Sequence, residues 1–139
     1  MKVVTKHLSL KTKGEVDIID ITNDVEGAVR TIGVKNGIVT VFVPGSTGGV
    51  TTIEYELGLL SDFPAMLERI APRNIEYEHE KRWHDGNGHS HVRSSLLGPS
   101  ITVPLEDGKL TLGTWQQLVF VELDNRSRTR ELVLQIMGE

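Results

Sequence analysis

The chain has 139 residues, 38% of them hydrophobic and 24% charged, with a net charge of −4 and no cysteine. That length and balance predict one soluble globular domain over residues 1–139, and no apolar run approaches the ~20 residues that cross a membrane. The acidic balance removes the broad cationic surface on which nucleic acid condenses, and without cysteine any metal must be held by histidine and carboxylate.

The N-terminal "MKVVTKHLSLKTKGE" has no apolar signal core of ~7–15 residues, so the cytoplasm is the expected location. Alternating Val4, Leu8 and Leu10, then "VDIID" at 16–20, predict two strands. Val25, Ala28, Val29 and Ile32 change the period to that of a helix, with Thr22 to Asp24 as its cap and Asn36-Gly37 as its stop. The β-branched run "GIVTVFVP" at 37–44 predicts a central strand buried on both faces. Phe63, Met66, Leu67 and Ile70 form a second helical stripe, capped by Asp62, with Pro64 in its first turn and Pro72 closing it. Strands follow at 100–105, 110–121 and 129–137, with a tight Asp-Gly hairpin at 105–110 and a turn at "DNRSR", 124–128. The last third reads as an antiparallel meander. The fold class is α+β: one compact domain with a mixed, largely antiparallel sheet and two helices packed on one face.

Chemistry concentrates in "HDGNGHSHVRSSLLGPS", His84 to Ser100, which holds three of the five histidines. If 88–95 is a strand, His89, His91, Arg93 and Ser95 share one face. Two imidazoles ~6–7 Å apart could then turn to one cation, with His79 as a third ligand in an open, zinc-like site. The alternative is a half-buried turn whose histidines only satisfy hydrogen bonds. "PGSTGGVTT" before Glu54 and Glu56 could bring backbone amides, Ser46 and Thr47 to an anion, or be a flexible turn. Trp115 precedes an apolar run, and one of Thr114, Gln116 and Gln117 beside it should face a pocket. Arg126, Arg128 and Arg130 alternate, which suits a solvated strand edge better than a phosphate clamp.

"SITVPLEDGKLTLGTWQQL", Ser100 to Leu118, resembles the signature of the YjbQ-like family, also called the secondary thiamine-phosphate synthase family. The likeness extends through "YEH" at 77–79, "DGNGHSH" at 85–91 and "SLLGPS" at 95–100. The resemblance implies a compact α+β domain, a ring-like homotrimer and a polar pocket near the histidines that often contains metal. It also implies thiamine phosphate synthesis, in which a pyrimidine pyrophosphate joins a thiazole phosphate and pyrophosphate leaves. Matched by position, it gives His91, His79 and His89, in that order, as ligands of a divalent ion such as zinc, and Glu54 or Asp85 as acid–base groups. Gln116 joins these as the end of G-T-W-Q. Ser46, Thr47, Asn87, Arg93 and Ser95 are left to hold a small phosphorylated substrate, and His84 is peripheral. Where many relatives read H-T-T-A, this chain has Gly45, Ser46, Thr47 and Gly48. The same pocket would also serve a non-catalytic protein that binds a small ligand or metal.

Overall fold

The computed structural model describes residues 1–139 and contains eight strands and four helices. In chain order these are β1 (Lys2–Lys11), β2 (Asp17–Asp20), α1 (Thr22–Ile32), β3 (Gly37–Phe42), β4 (Gly48–Ile53) and α2 (Leu57–Ile70). There follow α3 (Glu78–Trp83), α4 (Gly88–Leu97), β5 (Ser100–Glu106), β6 (Lys109–Leu110), β7 (Gln117–Glu122) and β8 (Thr129–Gly138). One α+β domain results, but with two sheets rather than one, ordered β1-β8-β3-β5-β6 and β2-β7-β4. Every pairing is antiparallel.

The layers follow from which side of each strand is apolar. Val39, Val41, Val103, Leu105, Leu132, Leu134 and Ile136 line the inner face of the larger sheet and pack on α1 and on Leu118 and Phe120 of β7. Val119 and Val121, pointing the other way from β7, join Ile18 and Leu123 and pack against Leu67 of α2 and Leu97 of α4. The strand buried on both faces is therefore β7. β3 is central in its sheet, but only one of its faces is buried, because Ile38 and Phe42 stay 38% and 44% exposed. No element covers the outer face of that sheet, where Val3, Met137 and Ile38 stand side by side in register.

Two further expectations are corrected. The C-terminal third is not a meander. β6 stops at Leu110, a turn closed by the Gln116 N–H on the Gly113 carbonyl at 3.1 Å intervenes, and β7 enters the other sheet. The hairpin before it forms as expected, with Asp107 and Gly108 both at positive φ (51° and 78°), as a two-residue turn of this kind requires. α2 begins at Leu57, not beside Asp62, because the Glu56 carboxylate accepts the N–H groups of Gly58 and Leu59 at 2.7 and 2.6 Å. Pro64 consequently lies inside the helix, where it gives up one backbone bond.

The segment 88–95 is helical, not extended. Its buried residues, Gly88, His89, Ser90, Arg93 and Ser94, repeat at the helical spacing, and Gly98 at φ 97° followed by Pro99 stops it. α3 and α4 are thus additional to the two helices predicted, and both carry candidate site residues. No helix is long and apolar enough to cross a membrane.

Candidate functional site

α3 and α4 meet at a tight corner. α3 ends at His84 in the left-handed conformation, φ 56°, and the loop of Asp85 to Asn87 leads into Gly88. A Cβ on Gly88 would stand 2.6 Å from both Tyr77 Cβ and Glu80 Oε1, so only glycine lets the helices approach this closely. The Gly88 N–H donates to Glu80 Oε1. This contact sets the His79 and His91 rings at a centroid distance of 4.3 Å, tilted by 37°.

His79 Nδ1 lies 3.4 Å from Asp85 Oδ1 and 3.7 Å from Glu80 Oε1, yet this buried nitrogen has no hydrogen-bond partner. One donor atom from each of His79, Glu80 and Asp85 falls within 4.8 Å of the others, a span that one divalent ion can bridge. Burial pushes the His91 pKa below the ordinary histidine value and the neighbouring His79 adds to this, against the opposing pull of Asp85, Asp124 and Glu80. His91 is therefore neutral at pH 7 and keeps a lone pair for a metal.

The floor is Asp124, which follows β7 and is fully buried. It accepts from Arg128 Nε at 2.8 Å, the Asn125 N–H at 2.8 Å and Thr47 Oγ1 at 3.1 Å. The buried Asn87 amide reaches Asp124 Oδ1 at 3.3 Å in one orientation, and in the other donates to Asp85 at 2.8 and 3.2 Å. Burial alone would raise the Asp124 pKa, but the bonds from Arg128, Asn125 and Asn87 outweigh it and hold the carboxyl below the usual aspartate value. The sign is fixed by that depression. Asp124 contributes stability above the unfolded aspartate pKa of about 3.9, and this is lost as pH falls through the lower folded value. Denaturant midpoints measured from pH 6 down to pH 3 should therefore fall less steeply in Asp124→Asn than in the unsubstituted protein, although the variant starts lower.

The other candidates are distributed as follows. His89 is on a different side of α4 from His91, since residues two apart on a helix are turned by about 200°. Its Nε2 lies 2.9 and 3.0 Å from the two oxygens of Glu15, and it is 1% exposed. The shared strand face expected for His89, His91, Arg93 and Ser95 therefore does not exist. Arg93 is buried and ties the end of α2 in place through Ala71 O at 3.0 Å and Glu68 at 2.8 Å. Ser95 is exposed and donates to the His91 carbonyl of its own helix. Thr47 is buried by Asp124 and by Arg130, whose Nη2 bonds its Oγ1 at 2.8 Å, while Ser46 is exposed in the loop. Arg130 is not part of a solvated edge but pairs with the buried Glu122.

Glu54 and Gln116 line a different feature, an open cleft of about 440 Å³ with Thr52, Ile53, Gly113, Thr114 and Trp115. Gln116 spans it, donating to Thr52 Oγ1 at 3.1 Å and accepting the Gly113 N–H at 3.0 Å. Trp115 is 73% exposed rather than core. This cleft shares no lining residue with the histidine cluster. Glu80 and Asp124 are the residues that sequence reasoning missed. Glu80 directly follows the "YEH" element, and Asp124 opens a segment legible only as a turn.

Fold and site together describe a two-sheet α+β protein with a histidine–carboxylate corner between two short helices. The chain belongs to the UPF0047 YjbQ-like protein family, whose model matches residues 6–139. A UPF0047 protein of Methanothermobacter thermautotrophicus is 42% identical over 139 residues, covering 100% of this chain and 95% of the relative. One from Archaeoglobus fulgidus is 40% identical, over 94% of this chain and 99% of its own. Among solved structures, a YbjQ-like protein of unknown function from Sulfolobus solfataricus superposes with a TM-score of 0.89 at 31% identity, covering 99% of this chain and 100% of that one. A family member from Clostridium acetobutylicum gives 0.87 at 38% identity, covering 95% and 99%.

Proposed function

We propose that the protein is a divalent-metal enzyme acting on a small phosphorylated substrate, with His79, Asp85, Glu80 and His91 as the cation-holding set. The observation that carries this reading is the buried, unpartnered His79 Nδ1 facing two carboxylates, with a second, neutral imidazole packed on its ring. Left empty, that nitrogen is an uncompensated polar atom that costs about 1–3 kcal/mol. A zinc ion held by three of these four groups would satisfy it and keep one position open, where it would supply Lewis acidity to a phosphate oxygen or bound water, and a carboxylate of Asp85 or Glu80 not bound to the ion would relay protons. Asn87, whose amide donates to Asp124 in one orientation and to Asp85 in the other, orients one of these carboxylates. Thiamine phosphate synthesis is the specific reaction put forward. A non-catalytic metal- or ligand-binding role would need the same cation set but no turnover.

The experiment is zinc affinity and turnover, with the pyrimidine pyrophosphate and thiazole phosphate as substrates, in the unsubstituted protein and three variants. His79→Ala and His91→Ala should each lose more than the about 10–100-fold in metal affinity that removing a residue which only orients a ligand costs, whereas His89→Ala, which removes the pair with Glu15, should keep it. Affinity should fall as pH drops through and below about 6.5, because protonation removes the ligand lone pairs. Absence of metal from zinc-loaded protein would overturn the reading. Metal binding without turnover would favour the non-catalytic role.

We also propose a homotrimer, located in the cytoplasm. The uncovered apolar row of Val3, Met137 and Ile38 on the outer sheet face supports self-association. Light scattering should give about three times the 15.4 kDa chain mass, and a monomeric mass at micromolar concentration would end this proposal.

A further inference from the structure

The turn between β7 and β8 closes over a small cavity of about 180 Å³ lined by Asp85, Asn87, Asn125, Arg126 and Arg128. That is the liquid volume of about six waters, below the ~300–1,000 Å³ that encloses a whole drug-sized ligand, but sufficient for one anionic group. Asp85 belongs to both the cavity and the cation set. Asn125 Nδ2 donates to the Asp85 carbonyl at 3.0 Å, which fixes the turn against the loop that carries the candidate ligand. Arg128 and Arg130 are each paired with a buried carboxylate, whereas Arg126 is exposed and lines the cavity with its charge uncommitted.

We propose that this cavity is the phosphate subsite of the enzyme, with Arg126, Arg128 and Asn125 as anion donors, and that it binds its anion only once the adjoining cation is in place. The inference rests on the metal reading above and assigns the substrate's anionic group to residues outside that set. Local charge dictates the order. Without metal, the two guanidiniums of Arg126 and Arg128 are outnumbered by three nearby carboxylates, Asp85 in the cavity wall, Asp124 paired with Arg128, and Glu80 beside Asp85 at His79, so a phosphate meets net repulsion. A divalent ion at His79, Glu80 and Asp85 reverses the sign of the site. The bond that Arg128 Nε donates to Asp124 holds its guanidinium in a fixed direction, and Arg126 supplies the uncompensated charge that planar recognition of phosphate favours. Coupling of this kind is reciprocal, so the anion must tighten the metal by the same factor that the metal tightens the anion.

The test uses inorganic pyrophosphate as probe, measured by calorimetry on the full chain with and without zinc, in the unsubstituted protein, Arg126→Ala and Arg126→Glu. Arg126 is exposed, so neither change should disturb folding. Zinc should tighten pyrophosphate at least tenfold in the unsubstituted protein. Arg126→Ala should weaken pyrophosphate by about tenfold or more and Arg126→Glu further, with zinc affinity measured alone retained. Zinc binding with pyrophosphate affinity equal in all three proteins, or unchanged by zinc, would overturn the subsite and leave the metal reading standing. Failure of zinc to bind at all would overturn both.

Discussion

Arg130→Ala is expected to lower the unfolding free energy by about 3–5 kcal/mol, the usual cost of removing one partner of a buried ion pair. Glu122 is 0% exposed and Arg130 8%. The Arg130 Nε bonds Glu122 Oε1 at 2.9 Å, and its Nη2 also bonds the Thr47 carbonyl at 3.1 Å. Thr12 Oγ1 at 2.7 Å and the Asp124 N–H at 3.2 Å complete the carboxylate's partners, but neither supplies charge. The variant therefore strands an anion beneath the sheet. Replacing both partners, as in Glu122→Gln with Arg130→Met, should cost much less than the single change, because no uncompensated charge remains. Urea unfolding of the three proteins at one fixed concentration measures this. A loss under about 1 kcal/mol for Arg130→Ala would mean that water reaches Glu122 and that the pair is not sealed.

Phe120→Ala should cost a similar amount, about 3–5 kcal/mol, as large-to-small changes in a filled core do. The ring is fully buried in the larger cluster, the Arg130 guanidinium stands 5.8 Å from its centre, and Gly48 has no side chain because a Cβ would meet Phe120 Cζ at 2.7 Å. A glycine backbone cannot extend into the space the ring vacates, so the cavity stays open and the cost sits at the upper end of the range. Phe120→Leu should recover more than half of the loss. If alanine and leucine cost the same, the site has collapsed and the packing account fails.

Legibility of the fold tracked how strictly local each signal was. β1, β2, the body of α1, β3, the β5–β6 hairpin and β8 are visible because their apolar period acts within a few positions, although α1 stops at Gly33 (φ 79°) rather than at Asn36-Gly37, and its N-cap position is Ile21, with no side-chain cap from Thr22 to Asp24. α4 was missed because H-S-H fits a strand's period of two, and only the contact of Gly88 with Tyr77 and Glu80 reveals a helix packed on a helix. The start of α2 was missed because glutamate is not among the residues favoured at a helix N-cap, and the exchange of β7 into the second sheet depends on partners distant in sequence. His79, His91 and Asp85 were singled out from spacing and resemblance, and the structure groups them. Glu80 and Asp124 acquire their positions from tertiary contacts. The placement of His89 away from His91 follows entirely from the change of strand to helix.

β7 has a consequence for how the molecule comes apart. Leu118 and Phe120 serve one apolar cluster while Val119 and Val121 serve the other, so the two layers share a single strand rather than a boundary. Pulling β7 away from β2 and β4 would therefore open both clusters at once. That coupling predicts a single cooperative transition on denaturation, with coincident loss of signal from the two clusters. Because Glu122, Leu123 and Asp124 continue directly from that strand, the floor beneath His79 and His91 is tied to the strand that both clusters share, and the histidine–carboxylate corner should keep its shape until that strand is lost.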